Sequence, residues 1–568
     1  MQEKITFLTT FVILSFLSTS LYAQNPTFEW VSQIGGTGSE FVKSITTDNE
    51  GNVYTTGSFQ NTVDFDPGED SLNFTAIGWS DIFIQKLDTN GNLMWAKHYG
   101  APGTNLGTGI ITDALGNVYA TGQFENTVTF DSDNPTSTLT SFGMADIFLL
   151  KLDAAGNFLW VKQMGGTNYD ANNAITLDPE GNIYTTVHFS GTADFDPSSE
   201  IANLTAIRNN DVFVQKFDNN GNLLWVKQMG GRGFEYGISL KTDAAGNVYT
   251  AGYFQNTVDF DPGSGVVDLT SNGKFDVFVQ KLDPSGEFLW AKQVGGTGDD
   301  RVHQMTIDNN ANIYLTGFFE GTVDFDPGNE TLNYTSNGLK DIFILKLNTD
   351  GDYLWAKQFG GTSDDEGMSI VTTTTGDLFA SGHFKDTVDF NPAEGNAIFT
   401  TGYFEDIYIL HLNSDGNFLW VKQYGGVMDD RGLVLTTDGD DSLYSTGTFR
   451  TTVNFDPGES DAELTSNGLY DIYILKLGIE TLGITESNIT EDLRIYPNPT
   501  KGKFSIEFST LQTSVNVKLY ALSGQLLMEK RFQDLKNLPL EIQQADGIYL
   551  LELNDDQGRN ATIKLVKN

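Results

Sequence analysis

The chain has 568 residues, of which 12% are aromatic, and its 75 acidic and 33 basic residues give a formal net charge of −42. A surface this acidic repels phosphates, which argues against a nucleic-acid partner. The chain has no cysteine, so disulfide bonds and thiol catalysis are excluded, and packing alone must hold the fold together.

The first 23 residues have the composition of an export signal. Lys4 supplies a positive charge, residues 5–17 are apolar, and residues 18–23 are mostly small. The apolar stretch is too short for a comfortable membrane span, and no later stretch is long enough. We therefore predict a signal peptide at residues 1–23 and a mature protein that is exported and does not span a membrane.

Residue types then recur at an interval of 65, up to about residue 478. The tryptophans of this series are Trp30, Trp95, Trp160, Trp225, Trp290, Trp355 and Trp420. The aspartates are Asp81, Asp146, Asp211, Asp276, Asp341, Asp406 and Asp471. No insertion interrupts the period, and repeats of this length are typical of solenoids or propellers.

Each repeat is predicted to contain four strands. In the first complete cycle these are residues 44–47, 53–59, 81–88 and 93–100, rich in β-branched and aromatic residues and separated by Gly- and Asn-containing turns. The second and third strands are apolar on both faces, which indicates burial between neighbouring sheets. Blades arranged around an axis provide that environment.

The two ends of the repeat region predict how a ring would close. Residues 28–36 resemble a fourth strand with no third strand before it, and residues 471–477 resemble a third strand with no fourth strand after it. Pairing them removes two open strand edges. We therefore predict an all-β, seven-bladed β-propeller over residues 27–478, whose N-terminal strand closes the last blade. The alternative, an open solenoid, would need caps that the sequence does not show.

The repeats resemble a known family. The sequence DVFVQKLDPSGEFLWAKQVGGTGDD at residues 276–300, together with GNVYTAGYF at 246–254, is similar to the bacterial beta-propeller repeats called SBBP. The resemblance extends over roughly residues 27–478. It implies a propeller fold and no single activity.

The sequence TVDFDPG at residues 62–68 recurs in closely related forms in every repeat, in the connection between the second and third strands. Asp-Pro followed by Gly is ordinary turn chemistry. Alternatively, two aspartates on one side of an extended chain could begin a calcium site. The residues of that candidate metal site are Asp64, Asp66, Asp259, Asp261, Asp324 and Asp326. A uniform ring of seven metal sites is not expected, because Thr129, Asn391 and Asn454 replace aspartates elsewhere.

One column changes residue type in every repeat, although its neighbours are fixed. It consists of Ser58, Gln123, His188, Tyr253, Phe318, His383 and Thr448. Because this column lies near the end of the second strand, it is predicted to lie close to one rim and to contact a ligand. The alternative is a surface position without a constraint.

No catalytic signature is present. The sequence lacks HExxH, GxSxG and a P-loop, so an enzyme is the less favoured interpretation. A pair of carboxylates for glycoside cleavage stays open, because aspartates are abundant.

After a polar connector at residues 479–492, residues 493–568 form a second module with three hairpin-like segments, typical of a small Ig-like β-sandwich. Its motifs closely resemble the C-terminal sorting domain of the type IX secretion system. The residues that carry the resemblance are Tyr496, Pro497, Asn498, Pro499 and Gly502, followed by LYALSGQLL, GIYLLEL and the terminal IKLVKN. The resemblance implies a Bacteroidota-type cell, recognition by an outer-membrane translocon, and release or anchoring at the outer cell surface. An ordinary adhesive sandwich is the alternative.

These observations predict an exported, monomeric propeller, displayed at the cell surface or released, that binds a glycan or a protein on one rim. The alternatives are a glycan-active hydrolase or lyase using rim carboxylates, and a purely structural surface component. No cofactor is expected other than calcium.

Overall fold

The computed structural model describes residues 25–198, 200–439, 442–457, 462–479, 493–521, 526–544, 547–555 and 560–567. The chain divides after Ile479 into two compact units, which are called the repeat domain and the tail domain below. The signal peptide predicted at residues 1–23 lies outside the described residues, as does nearly all of the connector predicted at 479–492.

The described part of the repeat domain contains seven groups of four antiparallel strands, numbered here as units 1 to 7. The first strands are Phe41–Thr47, Leu106–Thr112, Ala171–Leu177, Glu235–Thr242, Arg301–Ile307, Glu366–Thr372 and Arg431–Thr437. The second strands are Val53–Phe59, Val118–Thr129, Ile183–Asp194, Val248–Phe254, Ile313–Asp324, Leu378–Phe384 and Ser442–Phe449. The third strands are Asp81–Leu87, Thr138–Leu152, Asn203–Phe217, Asp276–Leu282, Asn333–Leu347, Asp406–Leu412 and Asp471–Gly478. The fourth strands are Leu93–Tyr99, Phe158–Gly166, Leu223–Gly231, Phe288–Gly296, Tyr353–Phe359, Phe418–Tyr424 and Thr27–Gly36.

The first strands form a closed circle. Each contacts the first strand of the next unit, and Arg431–Thr437 of unit 7 contacts Phe41–Thr47 of unit 1. The two ends of the repeat region meet in unit 7, where Thr27–Gly36 pairs antiparallel with Asp471–Gly478 and Ile34 lies opposite Ile472. The pairing predicted between these two ends is therefore present.

The connection between the second and third strands contains a short hairpin that the sequence did not predict. The hairpin strands that are separate elements are Thr62–Asp64 with Asn73–Thr75, Thr257–Asp259 with Asp268–Thr270, Thr387–Asp389 with Ile398–Thr400, and Thr452–Asn454 with Glu463–Thr465. In units 2, 3 and 5 the two hairpin strands are not separate elements: they are the last residues of a long second strand and the first residues of a long third strand. In unit 2 the hairpin also contains a 3-10 turn at Pro135–Ser137.

This hairpin links neighbouring units. In unit 1, Asp64 and Val63 pair with Gly35 and Gly36, at the end of the fourth strand of unit 7. Phe65 of the repeated motif is fully buried, and its ring centroid lies 5.1 Å from that of Phe59. The same pairing with the preceding fourth strand is present in units 3, 4 and 5, so the hairpin that carries the acidic turn attaches these units to the ones before them.

Apolar packing fills the junctions between units. Every residue of the second strand Val53–Phe59 and of the third strand Asp81–Leu87 is buried, as their continuous apolar pattern predicts. The junction between units 7 and 1 buries Ile34 and Ile472 together with Phe59. Burial of apolar surface on both faces of each sheet is the main source of stability in such a repeat.

The repeated aspartate of each third strand, Asp81 in unit 1, is buried beside a second carboxyl group in six of the seven described junctions. The six pairs are Glu40 with Asp471, Asp170 with Asp146, Glu235 with Asp211, Asp300 with Asp276, Asp365 with Asp341, and Asp430 with Asp406. Burial, reinforced by the charge of the partner aspartate, raises the pKa of Glu40 and Glu235 to about 8 and that of Asp300 to about 7. In the seventh junction Asn105 takes the place of the second carboxyl group, and its amide donates to the Ala101 carbonyl at 2.9 Å.

The tail domain is a five-stranded antiparallel sheet in its described part. Its strands are Leu493–Tyr496, Lys503–Ala521, Leu526–Glu541, Gly547–Asp555 and Asn560–Lys567. The three predicted hairpins are present, since Leu493 pairs with Phe508, Val517 with Lys530 and Gly547 with Lys567. The 19-residue second strand is irregular after Glu507, and both of its halves contribute to one apolar core. The Ig-like assignment stays a prediction.

Candidate functional site

The circle of first strands encloses an axial channel of about 500 Å³, lined by residues of all seven units. The variable column of the second strands lies at one end of it. Ser58 pairs with Phe41, the first residue of its first strand, and His383 pairs in the same way with Glu366. Gln123 and His188 line the channel itself. We call this end of the channel the mouth.

The structure also shows a second variable column that faces the first. It consists of Phe41, Leu106, Ala171, Tyr236, Arg301, Glu366 and Arg431. These residues are 65 apart and change type in almost every unit. Variation at a fixed repeat position identified the first column in the sequence, and it could have identified the second column in the same way. The two columns together make up the side chains around the mouth.

Units 4 and 5 contribute a cluster of aromatic rings that holds an arginine. The ring centroids of Tyr236 and Tyr253 are 5.1 Å apart, and those of Tyr253 and Phe275 are 5.2 Å apart. The Arg301 guanidinium lies 5.0 Å from the Tyr253 ring and 4.6 Å from the Phe275 ring. It donates to both carboxylate oxygens of Asp299, at 2.7 and 2.8 Å. Stacking and bidentate pairing together fix the position of this side chain.

A charged cluster continues from unit 5 to unit 6. The Lys340 ammonium donates to Glu366 at 2.7 Å and lies 4.2 Å from the centre of the Phe318 ring. On the other oxygen of Glu366, His303 Nε2 approaches to 3.3 Å. Burial opposes ionisation of Glu366, but His303, His383 and Lys340 together hold the pKa of its carboxyl group well below the usual range. Glu366 is therefore an anion at neutral pH, paired with the Lys340 ammonium.

The junction between units 6 and 7 adds a second carboxylate, Glu405 of unit 6, and a second arginine, Arg431 of unit 7. Arg431 donates to Glu405 at 2.6 Å, and His383 Nε2 lies 3.8 Å from the same carboxylate. Burial lowers the pKa of His383, against the attraction of Glu405 and Glu366. The mouth thus presents planar and charged groups from units 4 to 7.

The rest of the mouth is different. Ser58 and Thr448 are small and buried, and Gln123 is hydrogen-bonded to Tyr169. The rings of Phe41 and Tyr470 are 6.0 Å apart. The mouth is therefore asymmetric in spite of the regular repeat. Most of the column residues predicted to bind a ligand are buried rather than projecting from the rim, and two of them, Gln123 and His188, line the channel.

Exposed apolar side chains surround the mouth on the same rim. They lie just before the third strands, whose first residues pair with the ends of the second strands. The set, called the apolar crown here, is Ile77, Trp79, Phe142, Met144, Ile207, Leu339, Tyr403, Phe404 and Leu469. Trp79 is 80% exposed and Tyr403 is 89% exposed. Large apolar side chains exposed together on a soluble domain are typical of an interaction surface.

The aspartates proposed as calcium ligands hold their own turns. Oδ1 of Asp324 accepts hydrogen bonds from the backbone nitrogens of Asp326 and Leu332, at 3.1 and 2.8 Å. Oδ1 of Asp326 accepts from Gly328 at 2.7 Å. The corresponding bonds in units 1 and 4 are formed by Asp64, Asp66, Asp259 and Asp261. In the described residues, no three His, Cys, Asp or Glu side chains are grouped in a way that could hold a metal ion. A calcium site stays a prediction.

Replacing Asp324 by Asn is expected to change the free energy of unfolding by less than about 0.5 kcal/mol, because an amide oxygen accepts the same backbone hydrogen bonds. Asn454 does this in unit 7, where it accepts from Asp456 at 2.9 Å. Asp324→Ala is expected to cost about 1–2 kcal/mol, because two backbone donors lose their acceptor. Urea unfolding measures both. An Asn variant as unstable as the Ala variant would show that the charge matters, and a rise of the wild-type Tm in millimolar calcium would then identify the cation.

The sorting-motif residues form the first turn of the tail domain. The turn follows Tyr496 and contains Pro497 and Pro499. The Asn498 side chain donates to the Lys564 carbonyl at 2.7 Å and accepts from the Val566 nitrogen at 2.9 Å, which attaches the turn to the last strand. Gly502 has φ +109°, a conformation that favours glycine.

Two family models match the chain. Residues 29–58 and 289–317 match the model described as Beta-propeller repeat, which is the SBBP family. Residues 494–568 match the model of the Secretion system C-terminal sorting domain. The chain carries both modules. The two resemblances predicted from the sequence are thereby confirmed, and the sorting domain supports export to the cell surface or the medium.

Two curated proteins are similar to this one at low identity. Uncharacterized WD repeat-containing protein L264 of Acanthamoeba polyphaga mimivirus is 24% identical over 528 residues, covering 79% of this chain and 38% of the relative. Regulatory protein FlaEY of Caulobacter vibrioides is 24% identical over 260 residues, covering 42% of this chain and 26% of the relative. The chain thus spans less than two fifths of either relative.

As for membranes, the described residues include no helix of the length and apolarity that crossing a bilayer requires. The sorting domain implies contact with the secretion machinery.

Proposed function

We propose that this protein is a closed seven-bladed propeller, exported through a signal peptide and the type IX system, that binds a protein ligand with its mouth and apolar crown. The observation that carries the proposal is the coincidence of two features on one rim. The mouth holds aromatic rings and arginines fixed by stacking and ion pairs, and the crown around it exposes large apolar groups.

A protein partner fits these side chains better than a small molecule does. Aromatic residues, methionine and arginine are enriched in protein interfaces, and tyrosine, tryptophan and arginine supply much of the binding energy. The crown includes Trp79, Met144 and Tyr403, and the mouth includes Tyr253 and Arg301. The crown extends over six of the seven units, so that only a partner of comparable size covers it.

A glycan is the second candidate. The half-buried rings of Tyr236 and Tyr253 stand beside the paired carboxylate of Asp299, an arrangement of flat apolar faces and polar groups that suits a sugar. A glycan would bind in the mouth and leave the crown uncovered. Crown variants are therefore expected to weaken binding of a protein and to leave binding of a glycan unchanged.

The test uses the purified mature protein immobilised and presented with cell-surface and secreted proteins of its own organism, and separately with a glycan panel. A retained protein is purified and its Kd is measured. Trp79→Ser and Tyr403→Ser are expected to raise the Kd at least ten-fold, because each removes an exposed apolar anchor. Arg301→Ala is expected to act in the same direction.

The matched control is Leu115→Ser. Leu115 is 82% exposed but lies in the turn between a first and a second strand, on the opposite rim, so its removal is expected to leave the Kd unchanged. A Kd that responds equally to Leu115→Ser and Trp79→Ser contradicts the proposed surface. Binding of a glycan that is lost in Arg301→Ala and kept in Trp79→Ser identifies the second candidate.

A further inference from the structure

The axial channel has a charge opposite to that of the whole protein. The chain carries 75 acidic and 33 basic residues, yet among the residues that the structure describes no aspartate or glutamate lines the channel. Its lysine and histidine lining residues are Lys43, Lys241, His188 and His303. In so acidic a molecule, a cavity whose permanent charges are two lysines is a local inversion of the electrostatic field.

The two lysines are not neutralised by the protein. Among the described residues, neither Lys43 nor Lys241 forms an ion pair, whereas Lys86 and Lys216 on other strands are paired with aspartates at 3.4 and 3.2 Å. Lys43 is exposed and Lys241 is half-buried, and both line the channel. Enclosure without a counter-charge lowers the pKa of both ammonium groups. A desolvated cation of this kind is stabilised by any anion that reaches it.

The lysines lie at different depths and in different units. Lys43 belongs to unit 1, and the residue at its repeat position in unit 4 is Ile238. Lys241 of unit 4 follows Ile238 by three positions, so it lies further along the first strand than Lys43 does. At about 3.3 Å per residue, this separates the two positions by about 10 Å along the axis. Lysine side chains are long enough to approach one group between them. The wall adds the polar side chains of Thr108 and Gln304.

We propose that the axial channel binds an oxyanion group, namely a carboxylate, sulfate or phosphate, between Lys43 and Lys241. The site is separate from the crown and does not depend on what the rim binds. Its ligand is a free ion or a pendant group on a slim chain, because the channel has a volume of only about 500 Å³.

The test is isothermal titration of the full mature protein with sodium sulfate at constant ionic strength. Saturable binding is expected for the wild type. Lys43→Met and Lys241→Met are each expected to weaken it at least ten-fold. Both variants are expected to keep or raise the Tm without sulfate, because methionine has a similar length and removes an uncompensated charge. Lys43→Gln and Lys241→Gln serve the same purpose if a Met variant fails to fold.

The control is Lys274→Met. Lys274 lies on the rim, 65% exposed and 3.4 Å from Glu320, and its loss changes the net charge by the same amount without touching the channel. A second titration with sodium alginate, a soluble polyuronate, separates a free ion from a pendant group. Alginate that displaces sulfate supports a pendant carboxylate, and sulfate that binds alone supports a free ion. The proposal is overturned if sulfate does not saturate, or if the channel variants bind it as tightly as Lys274→Met does.

Discussion

The Tm of the repeat domain is expected to fall by about 5 °C or more when the pH is raised from 6.5 to 8.5. The cause is the set of six buried carboxyl pairs at the unit junctions. Burial and a neighbouring aspartate raise the pKa of Glu40 and Glu235 to about 8, and of Asp170, Asp300 and the corresponding residues to about 7.

The sign follows from proton binding. A carboxyl group whose pKa is higher in the folded than in the unfolded state binds its proton more tightly when folded. Its contribution to stability is therefore complete below about pH 4 and is lost as the pH rises through 7–8. Between pH 6.5 and 8.5 the contribution of each carboxyl group to the free energy of unfolding falls by about 1 kcal/mol. Over six sites the fall amounts to several kcal/mol.

The pH range avoids an opposing effect. Burial lowers the pKa of His188 to about 4 and also lowers that of His383. Their contribution to stability is present above the unfolded histidine pKa of about 6.5 and is lost as the pH falls below it. Thermal unfolding from pH 6.5 upward therefore avoids the histidines and reports on the carboxyl pairs, against which the lowered pKa of Lys43 and Lys241 acts in the opposite direction.

The chain provides its own control, because Asn105 already replaces one of the seven carboxyl groups. The triple variant Asp300→Asn, Asp365→Asn, Asp430→Asn is expected to show about half the wild-type slope of Tm against pH. Asp326→Asn removes one surface charge outside the pairs and is expected to leave the slope unchanged. A triple variant with the full wild-type slope would show that the pairs do not cause it.

Deleting residues 27–36 is expected to abolish cooperative unfolding of the repeat domain. The deletion exposes the edge of Asp471–Gly478 and removes Ile34, which is 1% exposed, from the core between units 7 and 1. An open edge and an exposed junction favour aggregation. Size-exclusion chromatography and guanidinium unfolding measure the outcome.

Two further variants separate closure from general damage. Ile34→Asp places a charge in the same core and is expected to cost at least about 4 kcal/mol, whereas Thr27→Asp at the exposed start of the strand is expected to cost less than about 0.5 kcal/mol. A synthetic peptide of residues 25–36 added to the deletion variant is expected to restore a monomeric species. A deletion variant that unfolds cooperatively at the wild-type guanidinium midpoint would show that closure does not hold the domain together.

The sequence was informative wherever the repeat buries a fixed residue. The tryptophans mark the fourth strands because each joins two units, as Trp30 does by donating to the Thr89 carbonyl at 3.0 Å. The aspartates mark the third strands because each accepts from a glutamine of the fourth strand, as Asp276 does from Gln293 at 2.7 Å. His98 replaces that glutamine in unit 1 and reaches Asp81 at 2.6 Å.

The features that could not be predicted from the sequence either lie at positions without a fixed residue type or are too short to show a pattern. The first strand of unit 1 begins at Phe41, three residues before the predicted start, because its first positions vary between units. The rim hairpin was missed because strands of three residues, such as Thr62–Asp64, are too short to show an alternating pattern. The channel lysines were missed because Lys43 and Lys241 each occur once at their repeat positions. Only the closed circle brings them to one cavity.

The contact between Gln33 and Asp471 joins residues 438 positions apart. A chain interrupted anywhere before the third strand of unit 7 leaves residues 27–34 without their antiparallel partner, however many complete units it contains. Such fragments carry a permanently open edge, which proteases and chaperones can recognise. Closure by the two ends thus makes a complete ring depend on a complete repeat region.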